Sequence, residues 1–299
     1  MRKPEAKMRV ILLTHGHCEA ALERLLALQC VTVVGIFVET DILRRYRPME
    51  ALKRSIRYDG WVKTLGSYAR KLGGGGNSYD AGMLVTENSR ERLREMAESQ
   101  KVPVHLVDSF HTEDSRRLMT QVSPDLGIIY GTNIVKESVF KIPRLGSVNL
   151  HQGLAPLYRG GPPIFWELYN GEREVGITVH FVEAKVDSGQ IVLQETVPLV
   201  YDYSHGLDYE QFISQFGESL EKRCASLLVE AVRLIAEGNA SPTTQDPLLG
   251  KRYRLPTKAQ KNELRRRLRR RRLEYGPIDR KRGFEVYGKV PRSDEAGNA

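Results

Sequence analysis

Asn149 and His151 stand two residues apart at the end of a short apolar run, within the stretch GSVNLHQGLAPLYRGGPPIFWELYNGE of residues 146–172. In an extended segment, residues two apart project to the same side, so the carboxamide and the imidazole should face one site. An amide donor beside a titratable donor can stabilise a developing oxyanion and handle a proton during acyl transfer. Pairs of this kind also serve as hydrogen-bonded structural supports, so the spacing alone leaves both interpretations open.

The elements that would position this pair form an alternating strand and helix pattern over the first half of the chain. Candidate strands, separated by helical segments, lie at 9–13, 31–39, 103–107, 126–130 and 147–150. This alternation predicts an α/β fold with a doubly wound, mostly parallel sheet. Ligands of such sheets bind beyond the carboxyl ends of the strands, which is where Asn149 and His151 stand.

Later segments complete the predicted domain. Two alternating runs, 176–183 and 190–200, predict neighbouring strands, and a long amphipathic pattern predicts a helix from Tyr209 to about residue 238. A long insert at 41–101 contains helical patterns on either side of a Gly-rich stretch. We place the end of the domain near residue 250, so that 1–249 is the main domain and 250–299 is a basic, partly helical extension.

The net charge of +9 belongs to this extension, because residues 251–299 hold 17 Lys and Arg against 6 Asp and Glu. The run RRRLRRRR at 265–272 supplies most of it and could contact RNA, although a solvated charged helix explains it equally well. Three cysteines without CxxC spacing favour neither a disulfide framework nor a zinc site. The chain has only four consecutive apolar residues near its start, too few for the core of a signal peptide, and no apolar run of about 18 residues. These observations predict a cytoplasmic protein without a membrane span.

Further motifs follow the Asn-x-His pair in a fixed order. They are the loop from Leu154 to Pro156, the pair Arg159-Gly160, and the turn VDSG at 186–189, with PDLGIIYGTNIV and PRLGSVNLHQG upstream. Together they resemble the formyltransferase family that uses 10-formyltetrahydrofolate as formyl donor. The resemblance covers roughly residues 100–200, whereas the first 100 residues match only in the order of strands and helices. Gly153 and Ala155 depart from the family, which usually has serine and leucine there.

The resemblance implies a Rossmann-like formyltransferase domain whose catalytic residues are Asn149, His151 and Asp187. Asn149 and protonated His151 would donate hydrogen bonds to the formyl oxygen, and Asp187 would favour and orient the imidazolium. The pterin end of the folate would lie against two loops, and Leu154 and Pro156 would line it from a third. The residues implied in the two loops are Thr132, Ile134, Val135, Glu183, Ala184 and again Asp187.

The acceptor side is less determined by sequence. His15 and His17 follow the first strand in the loop THGHC, and Arg159 stands in the Gly-rich turn, so these three are candidate acceptor-binding residues; we predict no metal. We favour a small amine acceptor, with a nucleotide-linked amino sugar ranked first. Alternatives are methionyl-tRNA, glycinamide ribonucleotide, hydrolysis of the formyl donor, and a folate- or RNA-binding protein without turnover.

Overall fold

The computed structural model describes residues 6–40, 87–201 and 208–275. Its strands are β1 (Met8–Thr14), β2 (Val31–Glu39), β3 (Val104–Val107), β4 (Leu126–Tyr130), β5 (Ser147–His151), β6 (Tyr158–Gly160), β7 (Glu174–Phe181), β8 (Ile191–Pro198) and β9 (Lys251–Tyr253). Its helices are α1 (Glu19–Ala27), α2 (Glu87–Ser99), α3 (Glu113–Gln121), α4 (Glu137–Phe140), α5 (Phe165–Asn170), α6 (Tyr209–Ala236) and α7 (Lys258–Tyr275).

Seven strands form the main sheet, in the order β3-β2-β1-β4-β5-β7-β8. The five strands from β3 to β5 are parallel, and the hairpin of β7 and β8 continues the sheet in antiparallel orientation along β5. The predicted doubly wound, mostly parallel α/β fold is therefore confirmed. Because β5 lies between β4 and β7, the Asn-x-His pair stands where the parallel and antiparallel parts of the sheet meet.

Apolar side chains of the strands pack against helices on both faces of the sheet. One cluster joins Leu12 and Ile128 to Leu22 of α1 and Leu228 of α6. A second joins Ile11, Leu13 and Phe37 to Met119 of α3 and Phe140 of α4. Burial on both faces explains why the parallel strands read as nearly continuous apolar runs.

Local capping signals explain where two of the helices begin. The hydroxyl of Thr112 accepts from the Ser115 N–H at 3.2 Å and caps the start of α3. Asp208 forms a capping box with Gln211 at the start of α6. No helix within the described ranges is both long and apolar enough to cross a membrane.

The C-terminal part of the described chain contacts the domain in a way the sequence patterns did not predict. Strand β9 pairs with the short strand β6 in parallel orientation, and Leu264 and Leu268 of α7 are buried in a third apolar cluster with Leu220 of α6. A domain boundary near residue 250 remains a proposal. The Gly-rich part of the insert and the end of the tail lie outside the described residues.

Candidate active site

Strand β5 presents Asn149 and His151 on the same side, as their spacing predicts. Asn149 pairs across the strands with His180 of β7, so that a second imidazole joins the site. The Asn149 amide Nδ2 donates to His180 Nε2 at 3.3 Å. His151 is buried, with 7% of its surface exposed. A carboxamide and two imidazoles thus lie together at one place on the sheet.

Asp187 completes this group from the loop between β7 and β8. One carboxylate oxygen lies 3.6 Å from His151 Nδ1, and the other lies 3.4 Å from His180 Nε2. The backbone N–H of Gly160 donates to the carboxylate at 2.8 Å. The structure therefore brings together all three residues predicted to be catalytic, although they stand up to 38 positions apart in the chain.

The electrostatic balance around Asp187 favours its ionised form. Burial alone would raise the pKa of this carboxyl, but the hydrogen bond with His180 and the positive charge of the two imidazoles outweigh burial. The Gly160 N–H adds to this effect, and the pKa is lowered to about 2. Asp187 is therefore a fixed negative charge at neutral pH that can orient and stabilise an imidazolium.

His180 was not predicted from sequence as a site residue. Its neighbours show which of its ring nitrogens donates and which accepts. Its Nδ1 donates to the backbone carbonyl of Phe181 at 2.7 Å, because a carbonyl can only accept. The neutral ring therefore has a free lone pair on Nε2, which accepts from Asn149, and a protonated ring can donate to Asp187 instead. The sequence offered one histidine on an otherwise apolar strand, and such a histidine has a structural role as often as a catalytic one.

His151 has an oxygen close to each ring nitrogen. Its Nε2–H donates to the carbonyl of Tyr158 at 2.8 Å, while Nδ1 faces the Asp187 carboxylate. Gly153 makes this placement possible, because a Cβ there would stand 2.4 Å from His151 Nε2. The departure at Gly153 from the family's usual serine is thus the point where the imidazole packs against the loop.

The loop after β5 is held by the strands beneath it. The Thr178 hydroxyl of β7 donates to the Gly153 carbonyl at 2.7 Å and accepts from the Ala155 N–H at 3.2 Å. Gln194 of β8 donates to the Ala155 carbonyl at 2.8 Å. These bonds fix the backbone between Leu154 and Pro156, two residues predicted to line the folate.

The other residues predicted to contact the folate divide between core and surface. Val135 is buried among apolar side chains, whereas Ile134 is 61% exposed. Thr132 follows β4 and donates to the neighbouring Asn133 carbonyl at 2.8 Å. Glu183 and Ala184 follow β7 and are exposed. Their role in folate binding remains a prediction, for which Ile134 offers an exposed apolar side chain.

The predicted acceptor residues occupy different environments. His15 is buried after β1, and its Nε2 lies 3.0 Å from the buried carboxylate of Glu39. His17 is half-buried. Arg159 is half-buried as well, and its Nε is among the buried polar atoms that lack a hydrogen-bond partner within the described part of the chain. An unpartnered guanidinium N–H beside a catalytic group is the kind of donor that a bound ligand satisfies.

Arg159 lines a small pocket, open to solvent on one side, that also reaches His151. Trp166 and Glu167 of α5 and Tyr253 of β9 contribute to its wall. The indole N–H of Trp166 donates to the Arg254 carbonyl at 2.9 Å, which ties the segment of β9 to this wall. Residues beyond 250 thus help to shape a cavity beside the catalytic group, a contribution that no sequence motif signalled.

Gly189 is the position in the Asp187 loop where an added side chain should displace the backbone most. A Cβ there would stand 1.9 Å from the Phe181 carbonyl oxygen, the same oxygen that accepts from His180. We expect Gly189→Ala to displace the loop and to lower kcat of the reaction at this site about tenfold or more, because small misplacements of catalytic groups are costly. Steady-state kinetics, with thermal unfolding to verify the fold, would measure this.

Gly217→Ala is the matched control, since a Cβ there makes an ordinary 3.7 Å contact with Ile164. Alanine is favoured over glycine inside a helix by about 0.5–1 kcal/mol, so this variant should keep its activity and gain a little stability. Equal kcat values for the two variants would show that the tight approach at Gly189 does not position Asp187.

Several known proteins are similar to this chain. A family model described as "Formyl transferase" matches residues 68–220, just over half of the chain. The methionyl-tRNA formyltransferase of Chlorobium chlorochromatii (strain CaD3) is 29% identical over 188 residues, which are 59% of this chain and 57% of that protein. The chain spans about half the length of the curated relatives it matches.

Two solved structures share the fold. Glycinamide ribonucleotide transformylase 1 from Symbiobacterium toebii has a TM-score of 0.50 and 17% sequence identity, with 82% of this chain and 98% of that chain covered. Phosphoribosylglycinamide formyltransferase from Anaplasma phagocytophilum has a TM-score of 0.51, 17% identity and the same coverage. At this identity the similarity concerns the arrangement of strands and helices.

Proposed function

The chain belongs to the formyl transferase family, and from this we infer that it is an enzyme that transfers a formyl group from 10-formyltetrahydrofolate to a primary amine of a small acceptor. The observation that carries the proposal is the contact of Asp187 with His151 and His180, beside the Asn149 amide. A carboxylate, two imidazoles and an amide donor in one cluster suit acyl transfer, in which a carbonyl oxygen gains negative charge.

The residues around the cluster fit the folate. The loops after β4 and after β7 offer the exposed residues Ile134, Glu183 and Ala184, and hydrogen bonds from Thr178 and Gln194 anchor the loop from Leu154 to Pro156. A pterin has a donor and acceptor edge that peptide groups can match, and an apolar face that Ile134 can contact. When bound, 10-formyltetrahydrofolate supplies the activated formyl group.

The protein groups then have separate roles. The second N–H of the Asn149 amide is directed to the formyl oxygen, while the first stays with His180. The Nε2–H of His151 exchanges the Tyr158 carbonyl for the same oxygen, so that a charge-assisted bond forms as negative charge develops. Asp187 holds the imidazolium in this orientation and stabilises its charge, which its low pKa makes possible at neutral pH.

We rank a nucleotide-linked amino sugar first among the acceptors. Support comes from Arg159, whose unpartnered Nε–H in the cavity beside His151 can donate to a phosphate or another anionic group. The second candidate is methionyl-tRNA, which is favoured by the methionyl-tRNA formyltransferases among the relatives and by the basic helix α7. A cytoplasmic location is part of the proposal, consistent with three free cysteines among the described residues.

The proposal predicts that the protein releases tetrahydrofolate only when a suitable amine is present. The purified chain would be incubated with 10-formyltetrahydrofolate and one acceptor at a time. The acceptors are amino sugar nucleotides, glycinamide ribonucleotide and charged initiator tRNA. Absorbance would follow tetrahydrofolate, and mass spectrometry would identify the N-formyl product. Formate release in the absence of any amine would favour hydrolysis instead, and no release with any acceptor would contradict the proposal.

A further inference from the structure

The short strand β6 holds two of the catalytic side chains through its backbone. The Tyr158 carbonyl accepts from His151 Nε2–H at 2.8 Å, and the Gly160 N–H donates to the Asp187 carboxylate at 2.8 Å. Both bonds come from a strand of only three residues, so a shift of β6 would move the partners of His151 and Asp187 together. The position of β6 therefore affects the orientation of the imidazole and of the carboxylate.

Strand β6 does not belong to the main sheet. Its strand partner among the described residues is β9, and the two form a separate two-stranded sheet. The parallel register joins Tyr158 to Lys251, Arg159 to Arg252 and Gly160 to Tyr253. Two strands without further support are marginally stable in water, so other contacts are needed to keep β6 in place.

Tyr253 of β9 supplies such contacts to β6 and to helix α5. Its ring stacks on the Tyr158 ring, with centroids 5.1 Å apart and planes 7° apart, and lies against Trp166 at a centroid distance of 5.0 Å. Its hydroxyl accepts from Asn170 Nδ2 at 3.0 Å, and the same amide donates to the Tyr158 hydroxyl at 2.9 Å. Tyr253 thus fixes the residue whose carbonyl binds His151.

Two glycines allow the segment of β9 to approach β6 and the loop before it. Gly160 has a φ of 80°, and a Cβ there would stand 2.4 Å from the Tyr253 carbonyl oxygen. Gly250 has a φ of 66°, and a Cβ there would stand 2.1 Å from the Pro156 carbonyl oxygen. Positive φ and close backbone approach both favour glycine, so the contact depends on a glycine in each of the two segments.

We propose that Tyr253 is a positioning residue for the reaction: it holds β6 so that the Tyr158 carbonyl and the Gly160 N–H orient His151 and Asp187. Catalytic side chains need supporting contacts of this kind, because a site that is loose by about 1 Å loses much of its rate. The kinetic consequence rests on the proposed function, whereas the orientation of His151 is a property of the protein alone.

Two substitutions at Tyr253 separate the ring from its hydroxyl. Tyr253→Ala removes the stacked ring, and we expect kcat for formyl transfer to fall about tenfold to 10²-fold while KM for 10-formyltetrahydrofolate changes less than about threefold. Tyr253→Phe keeps the ring and loses only the bond from Asn170, so its kcat should stay within about threefold of the wild type.

Phe212→Ala is the matched control for the loss of an aromatic ring. Phe212 lies in α6, packs against the same apolar cluster as Tyr253 and stacks on Phe216 at a centroid distance of 5.5 Å. This variant should lose stability, as Tyr253→Ala does, but should keep the kcat of the wild type. Steady-state kinetics and thermal unfolding of the three variants would separate positioning from a contribution to stability alone.

NMR spectra of protein with ¹⁵N-labelled histidine test the orientation of His151 without any assay of activity. The His151 Nε2 resonance, assigned with His151→Ala, should move in Tyr253→Ala and keep its position in Tyr253→Phe and Phe212→Ala. Gly250→Ala should move the same resonance, because it displaces the segment of β9 while leaving the Tyr253 side chain present.

An unchanged His151 resonance in Tyr253→Ala, or a kcat equal to that of Phe212→Ala, would overturn the role of Tyr253 while leaving formyl transfer intact. A wild-type protein that formylates no amine would instead remove the proposed function, and the resonance would still decide whether Tyr253 orients His151.

Discussion

Replacing His151 with alanine should lower kcat for formyl transfer about 10²–10⁴-fold while leaving the protein folded. The His151 imidazole lies against Asp187 and can both donate a charge-assisted bond and pass a proton to the leaving folate nitrogen, whereas His180 is held by the Phe181 carbonyl and the Asn149 amide. Alanine removes the bond to the Tyr158 carbonyl and leaves Asp187 with His180 and the Gly160 N–H as partners. Because both transition-state roles vanish, kcat should fall far more than KM rises.

His105→Ala is the matched control for this prediction. His105 is another partly buried histidine in β3, the strand at one edge of the main sheet, where it stacks on Phe37 of β2; strands β2, β1 and β4 separate β3 from β5. Its removal should leave kcat unchanged even if some stability is lost. Single-turnover kinetics with saturating acceptor would isolate the chemical step. A His151→Ala protein with kcat within threefold of the wild type would exclude the proposed role of the imidazole.

The parts of the fold that sequence predicts well are those whose pattern is set by burial and by local capping. The run from Val31 to Glu39 is a strand with the predicted bounds, and a short polar side chain, that of Thr112, caps α3. The pairing of β6 with β9 was missed because each strand has only three residues and their partnership spans about 90 positions. No local periodicity can report a contact of that range.

The residues of the site also divide into those that sequence predicts and those that it misses. Asn149, His151 and Asp187 stand in motifs whose order along the chain resembles a known family, and the fold brings them together. His180 was missed, because it is a single histidine on an apolar strand and its role depends on what the fold places beside it. Only the register of β5 against β7 puts His180 opposite Asn149.

The second large effect is expected from Asp187→Asn. Asparagine has the shape of aspartate and tolerates the positive backbone φ of 50° at this position, so the loop should keep its path. The neutral amide cannot stabilise an imidazolium, however. Its NH2 group also replaces one of the two carboxylate oxygens, and so it points a hydrogen towards either His180 or Gly160. We expect kcat to fall about 10²–10⁴-fold, measured with the same single-turnover assay.

The same substitution should also change how stability depends on pH. The folded pKa of Asp187, about 2, lies below the ordinary value of 3.8, so the ionised carboxylate stabilises the folded protein above about pH 4. By linkage this contribution is on the order of 2 kcal/mol and is lost as pH falls from about 4 to about 2. Urea unfolding of both proteins should therefore show a difference at pH 7 that narrows in acid. A difference independent of pH would mean that Asp187 acts by packing and not by its charge, and the electrostatic account of His151 would fail with it.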